Sequence, residues 1–255
     1  MRRIALVVEY EGTRYQGFQV QKNAPTIQGE LEKALQQLIG ERRRVAGASR
    51  TDAGAHAQGQ VASFLTASRY EPEVFGRGLN HYLPEDIAVR AAYEVRPSFD
   101  VRRDALARQY CYLILNRPAP SPLWRRFAHR VAEPLDVAAM DAASRLFIGE
   151  RDFASFAGAL EPGSRSTVRR VMRARVARQG ERVGFTIRAN AFLPQQVRRM
   201  AGALVAVGSG KMDRASLRRM LDAPGKGVAG PVLPACGLYL AQVIYRDFPP
   251  KDQEQ

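Results

Sequence analysis

The 255-residue chain is 45% hydrophobic and 8% aromatic, a globular composition sufficient for one large core or two closely packed halves. Its 39 basic residues, 34 of them arginine, outnumber 25 acidic ones, and the net charge of +14 points to a polyanionic partner such as nucleic acid. No apolar run reaches the length of a membrane span, "MRRIALVVEY" reads as a short strand rather than a signal peptide, and the two distant cysteines, Cys111 and Cys236, make no disulfide framework and suit a reducing cytoplasm.

Residues 3–10 ("RIALVVEY") are short, β-branched and almost wholly apolar, which predicts a buried strand. A polar loop, residues 12–25, carries Tyr15, Gly17 and Phe18. A helix follows: Pro25 punctuates, Thr26 can cap, Ile27, Leu31, Leu35 and Leu38 share one face, and Gly40 ends it. Residues 42–49 ("RRRVAGAS") and 59–65 ("GQVASFL") predict two short strands around "ASRTDAGAHA". A helix over 71–83 and an alternating strand over 87–95 complete a β-α-β-β-α-β order.

A second series repeats that order with one extra helix. It has a strand over 106–115, a helix over 136–148, and a strand pair over 168–178 and 183–189 joined at "QGE". Helices over 194–207 and 213–221 and a strand over 237–245 follow. The expected architecture is therefore two related split βαβ halves, residues 1–100 and 101–248, with a polar tail over 249–255. Sheets from two such halves can join into one platform with a cleft between them.

Several chemistries are excluded by spacing. "VGSGKM" lacks the glycine that a phosphate loop needs at Val205 and the hydroxyl residue it needs at Met212, so it reads as a helix end. No dinucleotide fingerprint follows a strand. His56, His81 and His129 share no metal-ligand spacing with either cysteine, so no metal is expected.

Three segments can carry chemistry. Asp52 lies in a turn of small residues between two strands. Asp-x-Gly commonly makes an Asx turn with its carboxylate on backbone amides. The same small neighbours also let a substrate backbone approach, and Arg50 or another arginine can hold the carboxylate ionised. Tyr110 and Tyr112 share one strand face with Arg108, either as packing or as a base-stacking surface with an arginine aimed at a phosphate or phenolic oxygen. In "FLPQQVRRMAGALVAVG", Pro194 suits a first helical turn and Val197, Met200, Ala201, Leu204 and Val205 form the buried stripe. Arg199 reads as solvated; Arg198 either joins it or points along the helix edge into a cleft.

Taken in order, "YEGTRYQGFQVQ", "TIQGELEKAL", "SRTDAGAHA", "ARQYCYLI", "IRANAFLPQQVRRMAG" and "PACGLYLAQVIY" resemble the tRNA pseudouridine synthase A family over nearly the whole chain. The resemblance implies the pseudouridine synthase fold: α+β, a continuous mixed but mainly antiparallel sheet, helices on one face and a central catalytic cleft. It implies that Asp52 is the catalytic aspartate and that Tyr110 contacts the target base. Arg50 matches the arginine implicated in flipping that base out, and Arg198 the basic residue that pairs with the catalytic carboxylate. Ser49 and Phe18 depart from the glycine and tryptophan common in the family, and neither change touches the acid. The implied reaction is isomerisation of uridine to pseudouridine at tRNA positions 38, 39 and 40, with no cofactor, by a homodimer that lays tRNA across both subunits. Basic segments at 42–44, 125–126 and 165–178 are candidates for the phosphate path. A non-catalytic RNA-binding module, or a synthase acting on another RNA, is the alternative.

Overall fold

The structure, a computed structural model, describes residues 1–160, 166–225 and 229–249, so the expected tail lies outside it except for Pro249, as does Arg165. The chain forms two compact units, Met1–Arg108 with the segment from Leu240 onward, and Gln109–Tyr239. Among the described residues, no helix is long and apolar enough to cross a membrane.

The N-terminal half holds β1 (Arg2–Tyr10), α1 (Ile27–Ile39), β2 (Ala46–Gly47), β3 (His56–Thr66), α2 (Pro72–Tyr82) and β4 (Ile87–Val95). β1 is central. It pairs antiparallel with β3, Arg2 opposite Thr66, and with β4, Arg3 opposite Val95. Ile4, Ala5 and Leu6 are all fully buried, which explains the unbroken apolar run. α1 starts where Thr26 accepts the Gly29 N–H and stops at Gly40 in the left-handed region (φ 73°). Its buried stripe is Ile27, Leu31, Ala34 and Leu35, while Leu38 is only half-buried. Phe75 and Leu79 of α2 are fully buried, and Phe75 meets Phe64 edge to face at 5.4 Å.

The strand expected over 42–49 shrinks to Ala46–Gly47. Arg42 and Arg44 are exposed, and the Val45 N–H is taken by the Glu32 carboxylate of α1 at 3.0 Å, leaving no ladder to join before Ala46. β3 is longer than expected and starts at His56.

The C-terminal half holds β5 (Ala107–Asn116), β6 (His129–Val131), α3 (Val137–Ser144), β7 (Gly149–Asp152) and β8 (Val168–Gln179). β9 (Arg182–Ala189), α4 (Gln196–Gly208), α5 (Arg214–Asp222) and β10 (Leu238–Ile244) complete it. The short β6 and β7 carry no sequence signal of their own and exist by pairing, β6 parallel to β5 and β7 antiparallel to β8. The helix expected over 136–148 ends at Ser144, whose hydroxyl donates to the Asp141 carbonyl, and one 3-10 turn, Arg145–Phe147, follows.

Hydrogen-bonded strand order is β4-β1-β3-β2 in the first unit and β5-β9-β8-β7 in the second, and the class is α+β with mainly antiparallel strands, as expected.

In the first unit, the loop after β1 and the loop before β3 clasp each other. Gly17 (φ 85°) lies where a Cβ would overlap the Thr51 carbonyl oxygen, and at Gly12 a Cβ would overlap that of Ala55. The bare backbones therefore touch. Phe18 N–H donates to the Thr51 carbonyl at 3.3 Å, and Gly54 N–H donates to the Tyr15 carbonyl at 3.1 Å.

Replacing Thr26 with Ala should cost about 1 kcal/mol, a fall of about 2–4 °C in thermal midpoint. Gly17→Ala combines left-handed strain with overlap and should cost at least about 2 kcal/mol. It should also speed hydrogen exchange at the Gly54 amide more than Thr26→Ala does. Equal exchange in the two variants would show that the clasp does not order the loop.

Candidate active site

In the first unit, Arg50 and Asp52 stand in the loop between β2 and β3. The residue between them, Thr51, is buried and its hydroxyl shares a 2.8 Å hydrogen bond with that of Tyr10. Turning Thr51 inward leaves Arg50 exposed and Asp52 half-buried. The Asp52–Ala55 turn is closed by the Asp52 main-chain carbonyl, which accepts the Ala55 N–H at 3.1 Å, with Gly54 at φ 76°.

Two side chains hold this loop, the first of them absent from the sequence expectation. Gln60 of β3, with no exposed surface, accepts the Ser49 N–H and donates to the Ser49 carbonyl at 2.7 Å. Arg108 of β5 is the other. Read from the sequence either as part of a packed face or as aimed at a phosphate or phenolic oxygen, Arg108 is 8% exposed and donates to the carbonyls of Ala48, Arg102 and Ala105. Its alternation with Tyr110 marked a face without showing that the face turns inward. His56 is a core histidine whose Nδ1 accepts the Gly12 N–H. Asp86 anchors the facing loop by accepting from Tyr15 at 2.6 Å and Arg14 at 2.7 Å. Burial alone would raise its pKa; the hydrogen bonds from Arg14 and Tyr15 outweigh that and hold it below the usual carboxylate value.

In the second unit, Tyr110 is 5% exposed, and its ring stands edge to face with Phe192, centroids 5.1 Å apart at 84°. Tyr112, on the same strand face, is core: its hydroxyl donates to the Pro234 carbonyl at 2.7 Å. Burial pushes its pKa up, nearby Cys236 adds to the rise, and Arg198 opposes it. Arg198 is half-buried on α4, with Nε on the Leu233 carbonyl at 2.7 Å. Arg199 is a correction. Expected to be solvated, it is half-buried and reaches the Ala229 and Gly230 carbonyls. Both arginines meet the same strap, residues 229–234, which crosses α4 where Gly202 has no side chain to block the Pro231 carbonyl.

Pro194 is a further correction. α4 begins at Gln196, not Pro194. Leu193, Pro194, Gln195 and Gln196 form a type II turn: Gln195 takes φ 59° and ψ 2°, and Gln196 N–H donates to the Leu193 carbonyl at 3.2 Å. Proline at the second turn position fits as well as at a helix start, so the sequence pattern alone does not separate them.

The second unit also carries a basic strand surface. Arg173 lies directly opposite Arg188 on β8 and β9, and Arg151 opposite Arg169 on β7 and β8. Arg173 and Arg175 are exposed. Directly opposed like charges disfavour the fold. Arg178, by contrast, is spent on structure, donating to Asn116 and to the Leu135 carbonyl.

Residues 6–104 and 143–246 match the family described as tRNA pseudouridine synthase. A protein of Pelobacter propionicus named tRNA pseudouridine synthase A is 43% identical over 245 residues, covering 96% of this chain and all of its own length. Proteins of the same name from Myxococcus xanthus and Roseiflexus sp. are 43% and 46% identical, covering 98% and 96% of this chain and 94% and 91% of their own lengths. With the aspartate loop and the arginine helix both inside the residues matched by the family, the chain belongs to the tRNA pseudouridine synthase family.

Proposed function

We propose that this protein isomerises uridine to pseudouridine in the anticodon stem-loop of tRNA, at positions 38, 39 and 40, with Asp52 as the reacting group. The observation that carries this reading is the loop itself. Its backbone is gripped by Gln60, Arg108 and the Gly12–Phe18 segment, its Thr51 side chain by the Tyr10 hydroxyl, and a half-buried carboxylate is what it presents. A surface turn has no need of such support, whereas a carboxylate that must meet one sugar carbon does.

The reaction breaks the N1–C1′ bond, turns the uracil and joins C5 to C1′; the C5 proton leaves and N1 regains one. Atoms and charge balance without an oxidant, a nucleotide or a cofactor. The target base must leave its stack. Asp52 then attacks C1′ or removes a ribose proton to give a glycal-like intermediate. Tyr110, on a buried strand face, holds the detached uracil. Arg50, exposed beside Asp52, helps to displace the base, and Arg198 supplies positive charge, its guanidinium steadied by the Leu233 carbonyl. The opposed Arg173 and Arg188, with exposed Arg175, suit the tRNA backbone, because phosphates add to the Arg188–Gln109 hydrogen bonds in relieving the repulsion between the pair. We further propose a cytoplasmic homodimer.

Tritium released from uridine C5 of tRNA reports the reaction directly. Wild-type protein should release it, and Asp52→Asn should bind tRNA within about threefold of wild type yet release essentially none, a loss of at least about 10³-fold. A fully active Asp52→Asn would end the assignment of the carboxylate. Tight tRNA binding with no release by wild type would favour a binding-only module instead.

Affinity for tRNA should fall steeply with salt. Arg173→Gln with Arg188→Gln should lower the slope of log affinity against log salt by about 1–2. An unchanged slope would remove these arginines from the phosphate path.

A further inference from the structure

The loop joining β9 to α4, residues 190–195, is built more tightly than a connection between a strand and a helix requires. At its start, the Asn190 side-chain oxygen accepts the N–H groups of Arg170 and Ala191, both at 2.9 Å, while the Asn190 N–H donates to the Arg170 carbonyl. At its end, the Gln196 side-chain oxygen accepts the Leu193 N–H at 2.8 Å, and the Gln196 N–H returns to the Leu193 carbonyl. This reciprocal closure resembles a capping box around the type II turn. From a third side, Gly158 N–H donates to the Pro194 carbonyl at 2.8 Å. Phe192 sits between the pinned ends, and its ring meets Tyr110.

Two features of this loop disfavour stability. Gln195 holds a left-handed φ of 59°, where glycine or asparagine is the comfortable residue. Gln196 is 1% exposed, and among the described residues its side-chain NH2 has no hydrogen-bond partner. A strained backbone and an orphaned buried donor persist where the surroundings enforce them, and such places cluster at functional sites.

We infer that the 190–195 loop is a preformed clamp that fixes the Tyr110 ring through Phe192, with Asn190 and Gln196 as positioning residues that act through that pair. The inference rests on the reading of Tyr110 as the residue that holds the uracil. Without the clamp, the phenol ring loses the edge-to-face contact with Phe192 that helps to orient it, and a base held by it turns less productively. The effect therefore falls on the chemical step and not on tRNA capture.

The test uses full-length protein and unmodified tRNA labelled at uridine C5. Phe192→Leu and Gln196→Met should each lower the single-turnover rate by about tenfold or more. tRNA affinity should stay within about twofold of wild type, and the thermal midpoint should move by no more than about 3 °C. Gln196→Met deletes the orphan donor along with the Leu193 bond, so its two stability effects oppose. Asn190→Ala should slow the reaction, and Asn190→Asp, which keeps the acceptor oxygen, should restore most of that rate. Ring carbon resonances of labelled tyrosine, with Tyr110 identified by Tyr110→Phe, should move in Gln196→Met although that residue does not touch the ring. Unchanged Tyr110 resonances, or rates within about threefold of wild type, would overturn the clamp. So would affinity losses that match the rate losses. An inactive wild type with a Tyr110 resonance that still responds to Gln196→Met would instead fault the reading of function and leave the clamp standing.

Discussion

The first unit depends on two lengths of bare backbone pressed together. Where Gly12 and Gly17 face Ala55 and Thr51, the chains approach more closely than any Cβ permits. That approach lets the Phe18 and Gly54 N–H groups reach carbonyls across the gap. It also leaves the loop from Ala48 to Ala55 with little room to move. Most of that loop's side chains are too small to hold it by packing, so its order comes from hydrogen bonds supplied by neighbours. Gln60 and Arg108 are fully or nearly buried for this purpose. A buried polar group is costly unless satisfied; Gln60 bonds the Ser49 backbone at both ends and Arg108 shares its donors between Ala48 and the carbonyls of Arg102 and Ala105, which makes a departure of the loop expensive. Asp52 inherits its position from these bonds to the backbone of its neighbours.

Arginine serves two opposite ends in this chain. Arg108, Arg198 and Arg199 are partly or largely buried and donate to carbonyl oxygens of segments that would otherwise be irregular coil. The guanidinium suits this because its several N–H donors lie in one plane and can tie two or three carbonyls at once. Arg173 and Arg175 are instead exposed on β8, with Arg173 opposite an Arg188 that donates to Gln109. The net charge of +14 therefore includes arginines spent on the architecture and arginines left exposed on a strand.

The parts of the fold that could be read in the sequence were those whose causes are local. β1 follows from an apolar run, α1 from Thr26 and Gly40, and β4 from strict alternation, and each was found within a residue of its expected bounds. The parts that could not be read were imposed from a distance. "GERD" becomes β7 because Val168–Val171 offers it a ladder, and "RRRV" fails as a strand because Glu32 claims the Val45 amide. For the site, alternation placed Arg108 and Tyr110 on one face but could not say whether the face met solvent or core. Arg199 was misread because the strap that covers it, residues 229–234, lies about thirty residues further along the chain. Gln60 and Phe192 had weaker signals still: a glutamine in an otherwise apolar strand run, and an aromatic ring at the mouth of a helix motif.

The Pro194 turn shows why such misreadings gather near function. Proline at a first helical turn and proline at the second position of a type II turn make the same demand on φ, so proline cannot choose between them. The following residue normally decides, and glycine there would have announced the turn. Gln195 conceals it by taking the left-handed conformation at a cost of about 1 kcal/mol. What offsets that cost lies elsewhere in the loop: the bonds from Leu193 to Gln196 and from Gly158 to Pro194, and the Phe192 ring against Tyr110. A segment selected for stability alone would carry glycine at 195 and, at 196, an acceptor for the Leu193 N–H without an orphaned donor beside it. That it carries two glutamines, one strained and one with an unsatisfied buried amide, means that the geometry of the turn was retained against its own local energetics. The geometry has one visible beneficiary among the described residues, the ring of Tyr110.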